Sequence, residues 1–213
     1  MWHERSSVQV TDGRRLQVQS EHFPPVFFLD SQFFQHNHLE IPRISLSLPL
    51  YALHFIGDAR TVGDRYFAQI HRWMPFISKK RFYENLLNPL SQPRSDVTLL
   101  IFCMKLVLWL PADSANGTEP RTSSYLFAKR TLLEAEVAGI LSLQLLQAWL
   151  LVTLYEVGHA IYPSAYISIA TCARYGSLLD LKRDRSTIFR DSATWVELEE
   201  RRRTWWTIVI FDR

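Results

Sequence analysis

From about Asp64 onward, apolar residues recur at the three- and four-residue spacing of a helix face. The repeats break at proline, glycine and small polar residues. The pattern predicts one helix over Tyr66 to Trp73 stopped by Pro75, and a second over Lys79 to Leu87 ending before Asn88-Pro89. A third, Ser95 to Trp109, is apolar on nearly every face and is closed by Pro111, which marks a helix enclosed by others. A loop of turn formers follows at 111–117. Next, Thr122 to Val137 sets Tyr125, Leu126, Leu132, Leu133 and Val137 at helical spacing, with Gly139 placed to end it. Ser142 caps a helix over Leu143 to Val157, where Gln144, Gln147, Thr153 and Glu156 read as a narrow wet stripe on an otherwise enclosed surface, and Gly158 suits the stop. Pro163-Ser164 opens Ala165 to Leu179, whose Ile169, Cys172, Ala173 and Gly176 offer a small-residue face for close helix contact.

A final helix is predicted from Thr194 onward. Thr194 and Glu197 have the spacing of a capping box, the hydroxyl accepting an amide while the carboxylate reaches back. Trp195, Leu198, Arg202, Trp205 and Val209 follow a 3-4-3-4 spacing and are predicted to share the inward face. Glu197 with Arg201 and Glu199 with Arg203 form Glu-to-Arg pairs four residues apart, the favourable direction in a helix. Arg202 falls on the apolar face, so burial would oblige it to find an acidic or carbonyl partner. No alternation of period two outlasts five residues. The expected fold class is all-α, a multi-helix array or bundle with a poorly ordered N-terminal arm.

The arm, 1–63, is punctuated by Pro24-Pro25, Pro42 and Pro49, a spacing that prevents a long helix. It reads as a partly disordered linker that docks through Phe27, Phe28, Phe33 and Phe34, ahead of a helical domain over 64–213. Composition agrees with a folded domain: 47% hydrophobic, 21% charged, and seven Trp to staple long helices together. The net charge of +3 is too small for a non-specific nucleic-acid binder. Cys103 and Cys172 both sit in apolar stretches and read as small buried hydrophobes, which fits a reducing compartment. The longest apolar run, Val97 to Leu110, carries Lys105 and is far short of the ~20 residues a spanning helix needs, so no membrane partner is expected.

Candidate chemistry is sparse. The sequence contains no GxGxxG, GxxxxGK[ST], HExxH or GxSxG motif. His36 and His38 are two metal ligands without a third at a sensible spacing. His159 reads as a residue meeting the last carbonyls of a helix. Asp180, Asp184 and Asp191 lie among Lys182, Arg183, Arg185 and Arg190 in what looks like a solvated connection. Glu199-Glu200-Arg201-Arg202-Arg203 mixes both charges, so internal pairing is preferred over phosphate contact. No catalytic, cofactor-binding or metal-binding residues are assigned, and an enzyme is not expected.

The last helix carries a resemblance. Trp195, Glu197, Glu199, Arg201, Arg202, Arg203, Trp205 and Trp206, followed by apolar residues and Asp212-Arg213, resemble the most recognisable stretch of the fungal-specific transcription factor domain. That domain is the middle homology region of binuclear zinc-cluster transcription factors. Ala165 to Arg174 with Leu178-Leu179-Asp180-Leu181 resembles the preceding family helix, with Asp180 where the family usually has Gly; this departure touches only the turn geometry. Leu146-Gln147-Ala148 resembles its "Leu-Gln-Ala" helix, and Tyr66-Phe67, Pro75-Phe76-Ile77 and Phe82 resemble its start.

The resemblance implies a regulatory module controlling DNA-dependent transcription by RNA polymerase II in the nucleus. It also implies DNA binding and zinc, but only through an N-terminal cluster in which six Cys hold two zinc ions. Two cysteines cannot build that cluster, so no cofactor is assigned within this chain. Co-regulator proteins or a small-molecule effector are the expected partners, with a homodimer left open. The family domain usually runs on past its signature, so a C-terminally truncated domain is expected. The alternative reading is a helical protein-interaction scaffold unrelated to transcription.

Overall fold

A computed structural model describes residues 48–87, 94–108, 119–182 and 194–213. They lie within one unit, Arg43–Arg213, and form eight α-helices with no strand among the described residues. In chain order these are α1 (Leu50–Ile56), α2 (Ala59–Gln69), α3 (Lys79–Leu87), α4 (Ser95–Val107), α5 (Ser123–Val137), α6 (Leu143–Gly158), α7 (Ser164–Leu178) and α8 (Trp195–Phe211). The all-α expectation holds. Phe27, Phe28, Phe33, Phe34, His36, His38, the 111–117 loop, Asp184 and Asp191 lie outside the described residues.

Two predicted caps are present, at Ser142 and Thr194, and Thr122, predicted to lie within its helix, caps it instead. Thr122, Ser142 and Thr194 each accept the amide three residues on, from Tyr125, Leu145 and Glu197, at 3.2, 3.1 and 3.3 Å. Two starts were not foreseen. Pro49 precedes α1, where proline's fixed φ suits a helix entrance, and Asp58 caps α2 by accepting from the Arg60 and Thr61 amides. Among the described residues the first helix thus starts at Leu50, and α2 spans Asp64 instead of starting after it. It also ends at Gln69, well before Trp73, because a turn at 70–73 closes it before Pro75 is reached.

α6 is the centre. It packs on α4, α5, α7 and α8, and Leu145, Leu146, Ala148, Leu150, Leu151 and Val152 are all fully buried. α4 lies along it with Leu99, Phe102, Cys103 and Met104 fully buried. Lys105, the one charge in that apolar run, escapes sideways: its ammonium donates to the Ile56 carbonyl oxygen at 3.2 Å, capping the C-terminal end of α1, and sits 5.2 Å from the Phe55 ring centroid. No helix of the described residues is long and apolar enough to cross a membrane.

Three helix ends repeat one device. At α5 the Ile140 amide bonds the Ala135 carbonyl and the Gly139 amide bonds that of Glu136, with Gly139 at φ 69°. The ends of α6 and α7 carry the same pair of bonds, around Ala160 at φ 55° and Asp180 at φ 54°. Gly158 is thus the last residue of α6 and not its stop; Ala160 makes the left-handed turn. Asp180 keeps the turn a glycine would make, so its departure from the family pattern changes the residue and not the backbone.

The predicted wet stripe of α6 is the clearest correction. Gln147, Thr153 and Glu156 are 1%, 0% and 0% exposed. Burying polar atoms is costly without partners, and here each has one. Thr153 donates to the Trp149 carbonyl oxygen at 2.9 Å, while Gln147 and Glu156 anchor two polar clusters.

Candidate functional site: the seam beneath the signature helix

α8 meets the rest of the protein along two strips of opposite character. Towards α7 the contact is apolar and close. A Cβ on Gly176 would lie 2.8 Å from Ile208 Cδ1 and 3.2 Å from the Trp205 ring, so a glycine permits this approach. Towards α6 and the 74–78 turn, α8 presents Glu200 and Thr204, which are 6% and 0% exposed.

Glu200 is the hub of that second strip. One carboxylate oxygen accepts the Ser78 amide at 2.8 Å and the Gln147 side-chain amide at 3.0 Å. The other accepts Arg81 Nη1 at 2.6 Å, a charge-assisted bond. Gln147 also donates to the Phe76 carbonyl oxygen at 3.3 Å, and the Thr204 hydroxyl lies 2.8 Å from the Glu200 carbonyl oxygen. One side chain therefore ties α8 to the turn, to α3 and to α6 at once.

The solvent side of the same helix carries a second ion-pair group. Glu199 accepts from Arg202 Nε at 2.7 Å and Arg203 Nε at 2.8 Å. The hydrogen bonds from Arg202 and then from Arg203 hold its carboxyl down to about 2. Arg201 turns the other way and donates to the Leu179 carbonyl oxygen at the end of α7. Glu197 faces Arg81 at 4.0 Å in place of the expected Arg201. Arg201, Arg202 and Arg203 are each engaged within the fold.

A model of the fungal specific transcription factor domain matches residues 64–213. The chain belongs to the fungal specific transcription factor domain family. It is 35% identical over 178 residues to Transcription factor BOA15 of Botryotinia fuckeliana, an overlap of 83% of this chain and 98% of that protein. It is 26% identical over 153 residues to Transcription factor tazR of Aspergillus terreus and, over the same length, to Tropolone cluster transcription factor tropK of Talaromyces stipitatus. Those overlaps span 70% and 69% of the chain but only 24% and 26% of the two relatives. No solved structure matches the chain.

The fungal specific transcription factor domain signature does not sit as its periodicity predicts. Trp195 and Arg202 are exposed, Leu198 and Val209 are half-buried, and only Trp205 packs inward, against Gly176. The buried face is Glu200, Thr204, Thr207 and Ile208. The helix is turned because its partners on α6 and the turn are polar, so hydrogen-bonding residues face in. Trp206 is half-exposed, Asp212 follows the last turn, and Arg213 is exposed. Arg202 meets Glu199 in solvent, which removes the burial problem. Glu200 was missed as a site residue; the signal was Gln147, a polar residue inside an apolar run that needed a partner.

A binuclear zinc cluster of the kind the resemblance implies finds no fit in the described residues. Cys103 and Cys172 are fully buried on α4 and α7, where burial pushes both thiols up, Cys172 to about 12. No group of three or more His, Cys, Asp or Glu among the described residues could hold a metal. His159 stacks on Tyr155 at the end of α6, with Nδ1 2.8 Å from the Tyr155 carbonyl oxygen, as a helix-terminating residue would.

Proposed function

We propose that this chain is a nuclear regulatory module that controls DNA-dependent transcription by RNA polymerase II, with α8 as the element that moves. The carrying observation is the family match over 64–213, which takes in the whole of this helix. The polar strip beneath α8 supports the mechanism. Leaving the apolar strip against α7 exposes Ile208 and Trp205. On the strip towards α6 and the turn, Glu200, Gln147 and Thr204 exchange protein partners for water, so release there exposes less apolar surface. Such an element shifts between docked and released forms when a partner binds one form better. A co-regulator protein or a small-molecule effector is the class of partner this reading requires, and DNA is reached through a zinc-cluster module of the kind the family carries.

The test is a reporter gene driven by the full-length factor, with and without this region, at graded expression levels, alongside imaging of the tagged protein. A dose-dependent change on deletion, with nuclear signal, is the expected result. An unchanged reporter and exclusion from the nucleus would instead favour a scaffold role.

A further inference from the structure

A cleft of about 170 Å³ opens between the 70–78 turn and the first turns of α8. Empty cavities near 150 Å³ hold one benzene ring, so this cleft is one aromatic ring in size. Phe76, Val196 and Trp195 supply apolar lining, and Lys79 and Arg203 supply positive charge. Lys79 opens α3 and Trp195 opens α8, so the N-terminal ends of two helices border the same space, and each favours an anion.

The two carboxylates that line the cleft are already taken, Glu200 by Arg81 and the Ser78 amide, Glu199 by Arg202 and Arg203. Lys79 makes no ion pair among the described residues; its ammonium sits 5.8 Å from the Phe67 ring centroid. His71 also lines the cleft, and its buried Nδ1 has no hydrogen-bond partner among the described residues. Burial, then the positive charges of Arg203 and Lys79, hold that ring below the ordinary histidine range. The cleft is therefore lined by a cation that has no carboxylate partner among the described residues.

We propose that this cleft binds a planar monocarboxylate one aromatic ring in size, with the ring against Phe76 and Val196 and the carboxylate beside Lys79 and Arg203. The consequence for regulation rests on the reading given above: a ligand bridging α3 and α8 favours the docked form of the signature helix by its differential affinity.

The experiment titrates the isotope-labelled full chain with benzoate, and in parallel with benzyl alcohol, which lacks the charge, and acetate, which lacks the ring. Benzoate is expected to shift the amide signals of Lys79, Val196 and Arg203 saturably, with both controls about ten-fold weaker or more. Lys79→Met weakens benzoate by about ten-fold and leaves benzyl alcohol unchanged, and Val196→Trp fills the cleft and removes saturable binding while the far-ultraviolet spectrum is kept. Equal binding of benzoate and benzyl alcohol, saturable shifts elsewhere, or indifference to Lys79→Met would overturn the proposal. Absence of binding with a reporter that still responds to deletion sinks the ligand and spares the regulatory reading. Binding with a reporter blind to deletion does the reverse.

Discussion

Two buried carboxylates, Glu156 and Glu200, hold this domain together in contrasting ways. Glu156, at 0% exposure on α6, accepts the Tyr125 hydroxyl at 2.7 Å and Lys129 Nζ at 2.8 Å, and Ser168 donates to its other oxygen. Lys129 lies 4.9 Å from the Trp149 ring centroid, and burial, reinforced by Glu156, pushes the Tyr125 phenol up to about 12. That cluster joins α5, α6 and α7, and its lysine is only 16% exposed. Glu200 joins α8 to α6 and the turn, its arginine is 26% exposed, and the cleft opens beside it. The first carboxylate is enclosed by the bundle, whereas the second sits where water and a ligand can compete. A buried ion pair is thus a fixed tie or a releasable one according to what borders it.

Breaking the enclosed pair is expected to have the largest effect. Glu156→Ala strands a lysine and two hydroxyls and should cost about 3 kcal/mol or more, lowering the melting temperature of the whole domain by roughly 6–12 °C. Glu200→Ala should cost about 2 kcal/mol, since Arg81 can turn to water. Its signature should be local: hydrogen exchange faster in α8 than in α4 and α6. Uniform loss of protection in both variants would erase the distinction between the two carboxylates.

Smaller changes sharpen the contrast by leaving both carboxylates intact. Ala160→Gly relieves a left-handed alanine at the end of α6 and should stabilise by about 1 kcal/mol in chemical denaturation, with no change in α8 exchange. Smallest is the acid limb. The folded-state Glu199 carboxyl lies below its unfolded value of 4.5, so its stabilisation is present above that pH and is lost as pH falls towards 2. Glu199→Gln should flatten stability between pH 4.5 and 2, and solvent at this surface pair keeps the effect small. An unchanged acid limb would show that the Arg202 and Arg203 bonds do not persist in solution.

What the sequence made legible follows from which forces leave a pattern. Caps are local, so Ser142 and Thr194 marked two helix starts before any tertiary contact was known. The start of α1 and the cap at Asp58 were not predicted because Pro42 and Pro49 upstream read as breakage, although a proline ahead of the first turn is compatible with a helix. Burial on α6 and α8 was misjudged for one reason. Periodicity counts apolar residues, and these two helices meet through Gln147, Glu200 and Thr204, which pattern reading assigns to solvent. The site was half-visible: the signature was recognised, but its central residue was the one that matching polar partners across 53 positions alone would expose.

The Glu200 hub also orders events during synthesis. Ser78, Arg81 and Gln147 leave the ribosome well before their common acceptor, which follows Gln147 by 53 residues. At ~5–20 residues per second that interval is about 3–10 s. Throughout that interval Ser78, Arg81 and Gln147 lack their native acceptor, and the polar slot can close only when the signature helix has been made.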